Sequence, residues 1–227
     1  MHIETEPYPG ADARLEIVTV VSDPFDENTY VLRIPGAATA VVIDPGFQPA
    51  AIVSVLETMG AVPEAIWLTH GHADHIGGNG ALKARYPKCP ILISALEEPK
   101  LSDPVKNLSA KFGLPLLSPP ADRIIAEGET LEFAGFRWRI AQIPGHSIGH
   151  VVFICEELSP PMVIGGDVLF AGSIGRTDFP DGDTETLLSG IRQHLYTLPD
   201  ETIVYPGHGE PTTVGEEKRS NPYVRGE

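Results

Sequence analysis

Four apolar runs in this chain stop at the same kind of turn: glycine, in two cases after proline, beside a histidine or an aspartate. They are Ala65-Ile66-Trp67-Leu68 before Thr69-His70-Gly71-His72-Ala73-Asp74-His75, then Gln142-Ile143-Pro144-Gly145-His146, Val163-Ile164-Gly165-Gly166-Asp167 and Val204-Tyr205-Pro206-Gly207-His208. Short apolar runs bounded by glycine and proline read as buried strands. Strands of one sheet can bring their ends to a single edge. A fold that satisfies this pattern therefore gathers these polar side chains in one place.

The first turn is the densest, with three of the eight histidines and one carboxylate in six positions. Imidazoles at i and i+2 of an extended segment project the same way, so His70 and His72 can share one ion. Asp74 and His75 fall where the chain begins to coil, point elsewhere and could hold a second. A solvated loop that happens to be rich in histidine is the bland alternative, and the density of ligand types argues against it. Each later turn is weak alone, because a lone histidine after Pro-Gly is more often a turn residue. The repetition carries the weight. Imidazole and carboxylate ligands suit zinc, iron or manganese. Cys89 and Cys155 stand far apart, outside every cluster, and read as small apolar residues of a reduced cytoplasmic protein.

The remaining chain mixes strands in series with single helices. Residues 15–21, 29–34 and 39–43 read as strands, and Ile52, Val55, Leu56 and Met59 form the apolar stripe of a helix that Gly60 ends. A helix at 81–86 and a strand at 91–93 follow. The proline-rich stretch 96–121 reads as a helical or loop insertion. Strand-like segments cover 123–133, 136–143, 150–155 and 162–166, then a helix carries Leu187, Leu188, Ile191 and Leu195 before a last strand at 202–205. This is not the strict alternation of a doubly wound sheet. Two sheets packed face to face, with helices outside both, accommodate it as one domain spanning 1–227.

The formal charge of −15 argues against a nucleic-acid partner, whose phosphates would be repelled. No stretch is long and apolar enough to span a membrane, and residues 1–10 lack an apolar signal core. Both point to a cytoplasmic protein without a membrane partner.

The residues Thr69-His70-Gly71-His72-Ala73-Asp74-His75, Gly145-His146, Asp167 and Gly207-His208 resemble the metallo-β-lactamase superfamily over nearly the whole chain. Asp167 narrows the resemblance to dinuclear hydrolases such as glyoxalase II. The runs Gly172-Ser173-Ile174-Gly175-Arg176-Thr177-Asp178-Phe179-Pro180 and Pro206-Gly207-His208-Gly209, with Asn221-Pro222, are similar to short bacterial glyoxalase II-like enzymes. The resemblance implies an α/β fold of the four-layer αββα sandwich type. It also implies two divalent metal ions, zinc foremost with iron or manganese as alternatives. His70, His72 and His146 would hold the first, Asp74, His75 and His208 the second, and Asp167 would bridge them. The implied reaction is hydrolysis of a small thioester such as S-lactoylglutathione by a hydroxide between the metals, with Asp74 directing the nucleophile.

Around these ligands, His150 is expected to support a ligand from behind rather than to bind a metal itself. Asp44 is either a turn residue or a similar support. Arg176, shortly after Asp167, is a solvated loop residue or a substrate contact. Only 19 residues follow His208. The C-terminal helical domain with which longer relatives grip glutathione is therefore not expected, and the acyl and thiol parts of the substrate stay open. The alternative is a mononuclear iron persulfide dioxygenase, in which a segment very like Gly175-Arg176-Thr177-Asp178-Phe179 also occurs.

Overall fold

The computed structural model describes residues 2–7 and 15–226, which form two compact units that divide after Ile125. Residues 1 and 8–10 of the stretch read above for a signal core lie outside the described residues.

The first unit carries a seven-stranded sheet in sequential order. Its strands are β1 (His2–Pro7), β2 (Glu16–Ser22), β3 (Glu27–Arg33), β4 (Thr39–Ile43), β5 (Val62–Trp67), β6 (Ile91–Ser94) and β7 (Arg123–Ile125). The chain runs antiparallel from β1 to β4 and parallel from β4 to β7. A parallel pair needs a crossover, and α1 (Pro49–Met59) supplies it between β4 and β5. The helix stripe at Ile52, Val55 and Leu56 packs with Val20, Val31, Val42 and Ile66 of the sheet. Truncating a fully buried member such as Ile52 to alanine should cost about 2–5 kcal/mol. After β5 come the single turn α2 (Ala73–Ile76) and then α3 (Asn79–Arg85). The stretch 96–121 holds two short 3₁₀ turns, Glu98–Lys100 and Ser109–Phe112.

The second unit holds a six-stranded sheet in the order β15-β14-β11-β10-β9-β8. These strands are β8 (Thr130–Phe133), β9 (Phe136–Gln142), β10 (Val151–Cys155), β11 (Met162–Gly166), β14 (Ile203–Pro206) and β15 (Thr212–Thr213), and β12 (Leu169–Phe170) with β13 (Ser173–Ile174) makes a separate hairpin. Two helices belong to this unit, α4 (Thr184–Gly190) and α5 (Val214–Ser220). The Asp183 side chain caps α4 by accepting the Thr186 N–H at 2.7 Å. A π-helical turn, Ile191–Leu195, continues α4, and its Ile191 and Leu195 share a core with Ile143, Val152, Val163 and Val204.

Two sequence expectations are refined. The strand-like run 123–133 divides at a turn over 126–129, so that β7 pairs with β6 and β8 pairs with β9. The strand read as last is followed by β15 and α5, elements too short for periodicity to reveal. The fold class is the one expected, mixed α/β with two sheets and few helices. No helix among the described residues is long and apolar enough to cross a membrane.

Candidate metal centre

In the first unit the polar cluster forms where parallel strands end together. β4 and β5 are parallel, so their carboxyl ends reach the same edge, a usual location for ligands in such sheets. Asp44 follows β4 and takes φ +46°, while Thr69 and His70 follow β5. His70, His72, His75 and Asp44 are all buried. The Asp44 carboxylate accepts three hydrogen bonds: Thr69 N–H at 2.8 Å, Thr69 Oγ1–H at 2.6 Å and His75 Nδ1–H at 3.0 Å.

These contacts set the imidazole tautomers. Since the Thr69 hydroxyl donates to Asp44, it accepts from His70 Nδ1–H at 3.0 Å, which makes Nε2 the basic nitrogen of His70. The same logic leaves Nε2 of His75 as its basic atom. His70 Nε2 lies 3.1 Å from His72 Nδ1. Two nitrogens bound to one tetrahedral ion at ordinary bond lengths are roughly 3.3 Å apart, so this spacing fits a shared metal. Asp44, His70 and His75 also cluster with ligand-type atoms within 4.8 Å of one another. With its carboxylate already accepting three hydrogen bonds, Asp44 is suited to bracing His75 rather than to ligation. Asp74 sits in the first turn of α2, its side chain 21% exposed and Oδ2 3.9 Å from His75 Nε2.

In the second unit three strand ends meet. β9 and β11 each run antiparallel to β10, and β14 runs parallel to β11. All three therefore point one way, which delivers His146, Asp167 and His208 to the same sheet edge. Asp167 Oδ2 lies 3.4 Å from His146 Nε2 and 3.4 Å from His208 Nε2. One carboxylate oxygen thus stands at ligand-to-ligand spacing from two imidazoles. The donor set in both units is nitrogen and oxygen without thiolate, which fits zinc, iron or manganese.

Neighbouring groups fix these side chains. His146 Nδ1–H donates to the Arg176 carbonyl at 2.9 Å, which leaves Nε2 for a ligand. His150 is buried and its Nε2 accepts the Asp167 backbone N–H at 3.0 Å, so it orients the aspartate from behind. Gly145, at φ +126°, lets its turn pass against α4, because a β-carbon there would come within 2.6 Å of Leu187. The Arg176 side chain is exposed, pairs in a fork with Asp178 at 2.7 Å and 2.7 Å, and lies 4.6 Å from the Phe179 ring centre. The hydrogen bond to Asp178 raises the guanidinium pKa further, keeping it charged.

The structure places four of the expected residues together in the first unit, with Asp44, and three in the second, with His150. Sequence reasoning overlooked Thr69 as a link between His70 and Asp44, and a hydroxyl directly before the histidine was the available signal. It also overlooked the Arg176 carbonyl, which no side-chain pattern can announce.

The family model described as Metallo-beta-lactamase superfamily matches residues 22–208. The hydroxyacylglutathione hydrolase GloC of Haemophilus influenzae is 40% identical over 212 residues, covering 92% of this chain and 97% of that protein. The crystal structure of BLEG-1 B3 metallo-beta-lactamase aligns with a TM-score of 0.85 at 36% identity, covering 91% of this chain and 98% of that one. The crystal structure of TTHA1623 in a di-iron-bound form aligns at 0.79 with 35% identity, covering 91% and 99%.

Proposed function

Because this chain belongs to the metallo-β-lactamase superfamily, we propose that it is a dinuclear metal-dependent hydrolase whose substrate is a small thioester, such as S-lactoylglutathione. The observation that carries the dinuclear reading is Asp167, whose Oδ2 stands 3.4 Å from an imidazole nitrogen on either hand. Such a carboxylate oxygen is suited to bridging two cations. His70, His72 and His146 would hold one ion, and Asp74, His75 and His208 the other. The thioester class rests on the relative named a hydroxyacylglutathione hydrolase. The di-iron form of a structure 35% identical supports a pair of metals and makes iron a candidate beside zinc and manganese.

Two bound cations would supply a Lewis acid for the carbonyl and acidify water from ~15.7 towards ~7, giving a nucleophile at neutral pH. The protein does the rest. Thr69 and Asp44 keep the basic nitrogens of His70 and His75 directed at the ligand side. The Arg176 carbonyl and His150 do the same for His146 and Asp167. The partly exposed Asp74 carboxylate can accept the proton of the attacking water and fix its direction. The Arg176 guanidinium offers a fork to a substrate carboxylate, in exchange with Asp178.

The test is a parallel assay of zinc- and iron-loaded protein. S-lactoylglutathione is followed under nitrogen by thiol release, glutathione persulfide by oxygen uptake, and a chromogenic cephalosporin by ring opening. The reading expects anaerobic thiol release that chelation abolishes. Oxygen uptake by the iron form without thiol release would replace it with a persulfide dioxygenase. Ring opening alone would make the protein a β-lactamase.

A further inference from the structure

The stretch 96–121 contributes no expected ligand, yet it reaches into the histidine loop. Glu97 is fully buried, and its Oε2 accepts the Gly71 N–H at 2.9 Å. Gly71 is the residue between His70 and His72. Lys100, only 4% exposed, places Nζ 3.2 Å from the same carboxylate oxygen. The fit is close, since a β-carbon on Gly71 would come 2.7 Å from Lys100 Cβ. A second tie lies one residue beyond His72, where the Ala73 N–H donates to the Asn107 carbonyl at 2.9 Å. Asn107 is itself buried and pinned, its side-chain amide donating to the carbonyls of Lys100 and Leu116 at 3.0 Å each.

A buried ion pair is a poor way to gain stability. Removing two charges from water offsets most of their attraction, and apolar replacements are often neutral or better. The pair here has another use. A buried loop N–H needs an acceptor, and a carboxylate accepts more strongly than a neutral group. Lys100 then balances that carboxylate, so the anchor adds no net charge beside a cation site.

We propose that Glu97, balanced by Lys100, and Asn107 are positioning residues for the metal centre. They tie the backbone on both sides of the Gly71-His72 pair and so hold His70 Nε2 and His72 Nδ1 at the 3.1 Å spacing that a shared ion requires. This inference rests on the metal-centre reading above.

Two double variants separate positioning from bulk stability. E97Q/K100M removes the charges but keeps an acceptor for Gly71, whereas E97L/K100M removes the acceptor as well. The measurements are metal affinity by competition with a chromophoric chelator, the visible spectrum of the cobalt-loaded protein, and the Tm of the metal-free protein. E97L/K100M should lose about tenfold or more in affinity at one of two metals, with an altered cobalt spectrum, in a metal-free protein that is still folded at the assay temperature despite the modest fall in Tm expected from a Gly71 N–H without an acceptor. E97Q/K100M should behave as the parent. Unchanged affinity in E97L/K100M, or a loss that merely reflects a metal-free protein unfolded at the assay temperature, overturns the proposal. Hydrogen exchange gives a check without any variant: the Gly71 amide should be protected in the metal-free parent, and rapid exchange there overturns the proposal too. A parent that binds no metal removes the metal-centre reading itself, whereas failure of this inference alone leaves a parent with two metals.

Discussion

His75 Nδ1 donates to Asp44 Oδ2 at 3.0 Å, joining two buried residues 31 positions apart in the chain. The same carboxylate holds the Thr69 hydroxyl, and through it the Nδ1 of His70. One aspartate thereby sets the tautomer of two imidazoles.

That arrangement predicts the effect of Asp44→Asn. An amide presents an NH2 group where two donors already point, so at least one buried donor loses its acceptor, which costs about 1–3 kcal/mol of stability. Metal affinity should fall by roughly ten- to a hundredfold, because the imidazoles are no longer held with Nδ1 protonated and Nε2 as the basic atom. Thermal unfolding and chelator competition measure the two effects. An Asp44→Asn protein with the parent's metal affinity would show that Asp44 is only a turn residue.

Much of this site is written in the chain because its ligands stand at strand ends, where an apolar run gives way to glycine. The run before Thr69 and those before His146, Asp167 and His208 announce themselves in this way. They divide between two sheets, one in the first and three in the second, which hydrophobic patterning cannot decide. The supports are only partly legible, for a physical reason. The chain points to His150 as a support and leaves Asp44 open between a turn and a support, while Glu97 gives no signal. Asp44 and Glu97 act through tertiary hydrogen bonds over 31 and 26 positions, and nothing local distinguishes a buried acid from a solvated one. Arg176 contributes its backbone carbonyl, which every residue possesses.

Gly175→Ala should damage the site without touching a ligand. A β-carbon there would overlap the Asp167 carbonyl and come 3.2 Å from His146 Cβ. Backbone must move to admit it, at a cost of about 1–3 kcal/mol, and metal affinity should fall with it. Gly80→Ala is the control. Nothing lies within 4 Å of its added carbon and it sits in α3, so stability should hold or rise by up to ~1 kcal/mol. Equal Tm and metal affinity in Gly175→Ala and the parent would contradict the packing described.

The two cysteines should be inert in the folded protein. Burial pushes the Cys89 thiol up to about 12 and raises that of Cys155 as well. Both stay protonated where an unfolded thiol, near ~8.5, ionises. Because the folded-state values are raised, the associated stability is complete below ~8.5 and declines as pH climbs towards 12. A thiol reagent at pH ~8 should label neither cysteine until denaturant is added, and Tm should drift down through the alkaline range. Rapid labelling of native protein would exclude the burial argument.

Asp167 offers the sharpest comparison, because its Oδ2 is equidistant, at 3.4 Å, from His146 Nε2 and His208 Nε2. If that oxygen bridges two ions, Asp167→Asn removes a charge shared by both, and an amide cannot replace it. Affinity should fall at both metals by ten- to a hundredfold or more. His208→Ala removes one neutral ligand from one ion, and its side chain is 26% exposed, so the fold should tolerate the change. Its loss should therefore empty one position and leave the other near the parent's affinity. Elemental analysis after dialysis, at matched free metal, reads the stoichiometry as near zero for one variant and near one for the other. Two metals retained in Asp167→Asn would rule out the bridge, and with it the dinuclear hydrolase in the form argued above.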